Sequence, residues 1–347
     1  MLAQTPTQTP TQQPTQQQRP ADSDPVPSPD GTAPSPSAAP TTATAIPAGV
    51  VTDENGKYKL VTNAFEVRLN ASVVDGSGRT VDSLPQSAFQ VYEDNVPQTI
   101  VAFRHEDLPV SLGLLIDSSG SMYDKRASVD AASLDLVKLS NPKDEEFLVD
   151  FSSEAYIDQD FTSDIVKLQQ GLGYIKSSGG TALYDAVIAS ADYLAKNGKE
   201  PKQVLLIITD GDDNASSASL EQAIRRVQDL NGPAIYCIGL LFGEDVSRSE
   251  ARHSREVLTE LAEETGGEAY FPKSLREVDG IAQQVAQDIR TQYTLEYRST
   301  TPPTNGGYRK IRVEAKEKGF HNLQVRTRSG YFPHVPGAPD AATPDGK

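Results

Sequence analysis

A single cysteine, Cys237, occurs in 347 residues, so no intrachain disulfide and no cysteine-based zinc site can form. It lies in the apolar run Ile235-Tyr236-Cys237-Ile238 and reads as a small core residue. The four histidines, His105, His253, His321 and His334, are scattered without metal-ligand spacing. No segment approaches the ~18 consecutive apolar residues of a membrane span. The longest strongly apolar run, residues 235–242, suits a core strand instead. Nothing has the apolar h-region of a signal peptide. Basic residues are also in deficit, with 32 Lys and Arg against 48 Asp and Glu and a net charge of −16. That balance argues against nucleic acid or an anionic membrane as partner, because phosphates need clustered Lys and Arg. It suits divalent cations.

What is present divides into three textures. The first 50 residues hold 11 of the 24 prolines, no aromatic residue, and only Arg19, Asp22, Asp24 and Asp30 as charges. Such a stretch cannot bury enough apolar surface to offset its ordering entropy, so residues 1–58 read as an extended tether. Residues 333–347 have the same character. The opening Leu2-Ala3-Gln4 before Thr/Pro/Gln repeats looks like a remnant of signal cleavage with a Met in front. Export to the periplasm, cell surface or medium is therefore the expectation, with a cytoplasmic location as the alternative.

The second texture has a period of two. Phe65, Val67, Leu69, Ala71 and Val73 alternate with polar residues, as in a half-buried antiparallel strand. Asp75-Gly76-Ser77-Gly78 is a turn. Residues 89–92 and 99–103 read as two more strands, split near Glu93-Asp94-Asn95. Residues 293–298, 311–316 and 323–326 repeat the alternation, and Tyr331-Phe332 follows. The two sets together supply enough short strands for a small β-sandwich built from 59–107 with 293–332.

The third texture, residues 108–292, alternates apolar strands with amphipathic helices. Strands are expected at 112–116, 147–151, 204–208, 234–241 and 268–271. Helices are expected at 124–139, 163–174, 182–196, 220–230, 254–265 and 275–292. This pattern means an α/β fold with a mostly parallel, doubly wound sheet covered on both faces. Ligands in such sheets bind at the carboxyl ends of the strands.

Three polar motifs sit where those strands stop. They are Asp117-Ser118-Ser119-Gly120-Ser121-Met122, Gly179-Gly180-Thr181, and Asp210-Gly211-Asp212-Asp213-Asn214. Loops after parallel strands share one edge of a sheet, so the three can converge. Asp117, Ser119 and Ser121 are spaced by two, and the neighbouring glycines permit sharp turns. With Thr181 and Asp210 they form two carboxylates and three hydroxyls, an all-oxygen set that favours Mg²⁺ and also admits Mn²⁺. Zn²⁺ would lack its preferred N and S ligands.

The order Asp-x-Ser-x-Ser, Gly-Gly-Thr-x-Leu, Thr-Asp-Gly resembles the von Willebrand factor type A domain with its metal-ion-dependent adhesion site, over residues 108–292. The flanking strands further resemble bacterial proteins in which this domain interrupts a β-sandwich. The resemblance implies a metal site at Asp117, Ser119, Ser121, Thr181 and Asp210. It implies a non-enzymatic adhesion module whose ion takes an Asp or Glu from a protein partner. Neutral hydroxyl ligands leave such an ion electrophilic, which favours an incoming carboxylate. Met122, Tyr123 and Asp212 stand by position as candidate rim residues. In similar domains the last helix moves with the metal site, and here that helix runs straight into the strand at Tyr293.

Other readings compete. Each motif alone also fits a helix cap or a strand-end turn. Asp210, Asp212, Asn214 and Glu221 match positions one, three, five and twelve of a calcium loop, but Ala215 stands where that loop needs glycine. A metal-dependent hydrolase needs a general base, and none is placed. A purely structural ion would pin the loops without serving a partner. Oligomeric state leaves no trace in the sequence.

Overall fold

A computed structural model describes residues 50–52, 58–60, 66–105, 107–139, 141–211, 213–242 and 247–333. Most of the 1–58 tether, the tail from 334 and Asp212 lie outside the described residues. The chain divides into two compact units, 1–62 and 63–347. In the first, β1 (Val50–Thr52) pairs antiparallel with β2 (Tyr58–Leu60). The tether reading thus gives way to a short ladder at its end, where β-branched and aromatic residues replace Pro, Thr and Gln.

The second unit begins with antiparallel strands. They are β3 (Glu66–Val74), β4 (Phe89–Glu93), β5 (Val96–Gln98) and β6 (Ile100–Arg104). Asp94 and Asn95, both at positive φ, make the tight turn between β4 and β5. Next comes β7 (Val110–Asp117), then α1 (Arg126–Leu139) and the hairpin β8 (Glu145–Phe151) and β9 (Ala155–Thr162). The helices α2 (Ile165–Leu172) and α3 (Leu183–Asn197) lead to β10 (Lys202–Thr209). Then follow α4 (Leu220–Asp229), β11 (Ala234–Gly239), α5 (Arg248–Thr265), β12 (Ala269–Tyr270) and α6 (Val278–Arg290). The chain closes with β13 (Tyr293–Arg298), β14 (Arg309–Ala315), β15 (Gln324–Arg326) and β16 (Gly330–Tyr331).

Six strands form the central sheet in the order β12-β11-β10-β7-β8-β9, parallel except for β9. Its strands are apolar on both faces because both are covered. On one face Leu114, Ile116, Leu206 and Ile208 pack with α1 and α6 through Val129, Leu136, Ala282 and Val285. On the other, Leu115, Leu205, Ile207 and Phe147 pack with α3, α4 and α5. The alternation predicted for 65–73 and its C-terminal counterparts yields two four-stranded sheets, β15-β3-β13-β6 and β16-β14-β4-β5. Both mix strands from before and after the α/β segment, and they share the core of Val67, Leu69, Val91, Tyr293, Leu295 and Tyr331.

Two differences from expectation have clear causes. The 254–265 helix begins at Arg248 because Ser247 and Glu250 form a capping box. The strand β9 is not legible as a strand because its apolar residues do not alternate cleanly and its register with β8 shifts twice.

Two buried polar clusters hold the second unit. In the β-sandwich, Arg309 and Glu93 are 2% and 1% exposed and pair at 3.3 Å. Glu93 also accepts from Tyr297 (2.6 Å), Tyr331 (2.9 Å) and Ser299 (2.6 Å), while Arg309 donates to the carbonyls of Thr301 and Pro302. At the start of α6's connection to the sandwich, buried Asp288 accepts from Tyr236 (2.7 Å), Ser72 (3.2 Å) and Arg326 (3.0 Å). Lys202 donates to the last carbonyls of α6, those of Ile289 and Arg290. So α6 is tied to β10, β11 and both sandwich strands that flank it in space.

At the β8–β9 edge, burial and the neighbouring Asp150 carboxylate push Asp158 up to about 7. Asp150 in turn accepts from Ser118 at 2.9 Å, inside the first polar loop.

Arg309→Met strands the Glu93 carboxylate in the core and should lower the unfolding free energy by about 3–5 kcal/mol, read from urea midpoints. Asp158 binds its proton more tightly folded than unfolded, so it favours the folded state only at low pH. Its contribution is lost as pH rises from the ordinary carboxylate range through about 7. Asp158→Asn should therefore melt above wild type at pH 8, by about 1 kcal/mol after allowing for partial exposure, with the gain vanishing near pH 4.

Candidate metal centre

The sheet changes direction of winding between β7 and β10. From β7 the chain steps to β8 on one side, and later passes from β10 to β11 on the other. Loops leaving the carboxyl ends of β7 and β10 therefore part and leave a crevice, the usual ligand position in this architecture. Asp117 is the last residue of β7, and Asp210 immediately follows β10. The parallel register that pairs Ile116 with Ile208 brings Asp117 opposite Thr209, with Asp210 one residue further on.

Short hydrogen bonds fix each of them. Asp117 is wholly buried; its Oδ1 accepts the Ser119 amide at 2.8 Å and its Oδ2 accepts the Thr209 hydroxyl at 2.5 Å. Burial pushes Asp117 upward, against hydrogen bonds from Ser119 and Thr209, and the nearby Asp210 charge adds to the rise. Asp210 Oδ1 accepts the Ser121 hydroxyl at 2.8 Å, and Oδ2 pairs with the ammonium of Lys125. The hydroxyls of Ser119 and Ser121 lie 3.1 Å apart. Ser119, Ser121 and Asp210 thus form a continuous run of oxygen atoms, to which Asp117 is joined through the Ser119 amide.

Thr181 reaches this run by a different route. Its loop is held from below, with Gly120 donating to the Gly179 carbonyl and Ser178 to that of Ser118. Gly179 sits at φ +82°, where a side chain would strain the backbone, and a Cβ there would also meet Ser153 Oγ at 2.9 Å. Thr181 donates its amide to Asn214 Oδ1 at 2.9 Å and accepts from the amides of Asn214 and Ala215. Its Oγ1 lies 3.8 Å from where a Cβ on Gly211 would stand. All three predicted loops therefore meet, and Thr181 is pinned beside the loop that follows Asp210.

The rim residues fare differently. Tyr123 is 75% exposed beside the site. Met122 is 0% exposed: the 3₁₀ turn Gly120–Met122 rotates its side chain inward, where it joins the core with α1 and α6. The rim assignment of Met122 is thus wrong, because a methionine next to an apolar sheet face gains more by filling it. Asp212 lies outside the described residues. Three contributors were not foreseen: Thr209, Asn214 and Lys125. Thr209 and Asn214 flank Asp210 in sequence and were within reach of the strand-end argument. Nothing in the spacing of Lys125 marks it.

An octahedral ion with oxygens at roughly 2.0–2.1 Å separates neighbouring ligands by about 2.9 Å. The Ser119–Ser121 and Ser121–Asp210 hydrogen bonds of 3.1 and 2.8 Å hold these oxygens at a spacing that such a shell can accept. The donors are all oxygen, and only two carry charge. Among the described residues no group of three or more His, Cys, Asp and Glu converges, so neither a zinc-type nor a carboxylate-rich calcium cluster is formed by them. Asn214, one position of the calcium-loop reading, spends its Oδ1 on the Thr181 amide. The donor set fits Mg²⁺.

No curated protein matches the chain. The chain is similar to the solved von Willebrand factor type A protein from Catenulispora acidiphila, with 14% identity over 71% of this chain and 72% of that one, at a TM-score of 0.45. It is similar to the vWF domain of the type V pili tip protein Mfa5 from Porphyromonas gingivalis, with 14% identity, 53% and 97% coverage, and a TM-score of 0.42. It is similar to the conserved hypothetical protein BatB from Bacteroides thetaiotaomicron, with 18% identity, 51% and 98% coverage, and a TM-score of 0.40. Residues 112–212, which include all five of the predicted site residues, match the sequence model of the von Willebrand factor type A domain. Over those 101 of the 347 residues the chain is similar to the von Willebrand factor type A domain.

Proposed function

We propose that Asp117, Ser119, Ser121, Thr181 and Asp210 hold Mg²⁺, and that the protein uses this site to bind a partner protein through an Asp or Glu side chain. Residues 112–212 resemble the von Willebrand factor type A domain, a resemblance that implies an adhesion or protein-interaction module. The observation that carries the reading is the convergence of three loops that brings the Ser119 and Ser121 hydroxyls and the Asp210 carboxylate within hydrogen-bond distance of one another, with Asp117 and Thr181 held beside them.

Each residue has a distinct task. Ser119 and Ser121 present neutral oxygens. Asp117, steadied by Thr209 and the Ser119 amide, supplies charge from a buried position and keeps Ser119 in place. Asp210 orients Ser121 across the crevice. Thr181 closes the third side, held through Asn214. Bound there, Mg²⁺ supplies a Lewis-acidic position for a carboxylate oxygen. Tyr123, exposed at the rim, offers a rigid aromatic surface of the kind that anchors protein interfaces.

The reading is of a non-enzymatic module. A metal-dependent hydrolase, which would need a general base beside the ion, is the alternative. We also propose exposure outside the cytoplasm, on the strength of the Pro/Thr/Gln-rich N-terminal segment. Among the described residues no helix is long and apolar enough to cross a membrane.

Capture of exported proteins on the immobilised chain provides the test. Partners should be retained with Mg²⁺, released by chelator, and lost with Asp117→Ala at any Mg²⁺ concentration. Mg²⁺ at 100 times its Kd should also stabilise wild type by about 2.7 kcal/mol and leave the variant unmoved. Partner capture that survives both chelator and substitution would overturn the proposal. A thermal shift with no Mg²⁺-dependent capture would favour a purely structural ion.

A further inference from the structure

Two buried carboxylates at one crevice repel each other and lose hydration, so a cation belongs beside them. Among the described residues Lys125 is the one cation paired with either carboxylate. Its ammonium lies on Asp210 Oδ2, with the lysine side chain 15% exposed and the Asp210 side chain 1% exposed. The backbone of Lys125 is held on both sides, its amide by the Met122 carbonyl and its carbonyl by the amides of Ser128 and Val129. Its four-carbon stem therefore starts from a fixed point at the head of α1 and reaches a residue 85 positions away. An exposed ion pair would be nearly neutral in energy, but this one is closed off from water on the acidic side.

The contact uses the same Asp210 carboxylate that the proposed ion uses. Oδ1 is taken by Ser121 and Oδ2 by Lys125, so both oxygens are occupied. We propose that Lys125 is the resident cation of this site: it neutralises Asp210 when no ion is bound, it gives up that carboxylate when a divalent ion enters, and it thereby sets the ion concentration at which the domain loads. The proposal rests on the metal-binding reading above. It leaves the ion-free site with only one uncompensated negative charge, and it makes loading an exchange of one cation for another rather than a simple addition. Charge supports the exchange: two carboxylates with one ammonium leave −1, whereas two carboxylates with Mg²⁺ are neutral.

Calorimetric titration of Mg²⁺ and Mn²⁺ into the full chain, paired with melting curves, tests this. Lys125→Gln should bind either ion about tenfold tighter or more, because nothing has to be displaced. Without ion the same variant should melt below wild type, and Mg²⁺ should raise its Tm more than it raises that of wild type. Lys125→Arg keeps the charge and should stay within about threefold of wild type. Lys138→Gln removes the same charge from an exposed site paired only with Asp135, and should stay within about twofold. Lys125→Met preserves the apolar stem and serves if the Gln variant does not fold. Equal or weaker ion affinity in Lys125→Gln and Lys125→Met, with wild type binding normally, overturns the role of Lys125 and leaves the metal site standing. Absence of ion binding in every variant and in wild type overturns the metal site, and the role of Lys125 with it.

Discussion

Two carboxylates placed side by side away from water are the constraint on which the rest of this structure depends. Asp117 and Asp210 are 0% and 4% exposed at the ends of adjacent parallel strands. Each oxygen of the pair has a donor: an amide, two hydroxyls and an ammonium. Desolvation raises Asp117 despite those bonds, so the arrangement is one in which positive charge is welcome. That is a different condition from a helix cap or a strand-end turn, where one carboxylate faces solvent.

The scaffold makes the constraint bearable by removing freedom elsewhere. The register of β7 with β10 fixes the carboxylates, and α1 begins directly behind the first loop. The helix α6 packs against α1 through the same core that receives Met122, and is itself held by Asp288 and Lys202. Asp288 joins Tyr236 of the central sheet to Ser72 and Arg326 of the β-sandwich. The β-sandwich and the candidate metal loops are therefore joined through packed α1 and α6 and the buried Asp288 network. Burial holds Lys202 down to about 8, so its grip on the α6 carbonyls weakens as pH rises beyond that value.

Much of this was legible in the residues, for reasons that can be named. Period-two alternation in 65–73 and 293–298 marked sheets with one buried face, and unbroken apolar runs at 112–116 and 204–208 marked strands buried on both. Once those strand ends were fixed, Asp117, Ser119, Ser121 and Asp210 had to share an edge. Met122 was misplaced because sequence position says nothing of which way a 3₁₀ turn points its last side chain. Lys125 was invisible for a related reason: its partner is 85 residues away, and only the folded crevice brings them together. The strand β9 escaped because Asp158, Gln159 and Asp160 interrupt its apolar residues, and an edge strand can carry such residues where a central one cannot.

Anomalous diffraction from crystals of the full chain grown with Mn²⁺ tests whether the oxygen atoms at the ends of β7 and β10 are an ion site. One strong peak is expected within about 2 Å of the Ser119 and Ser121 hydroxyls and adjacent to Asp210. An empty crevice in such crystals, or a peak only elsewhere on the molecule, would contradict it.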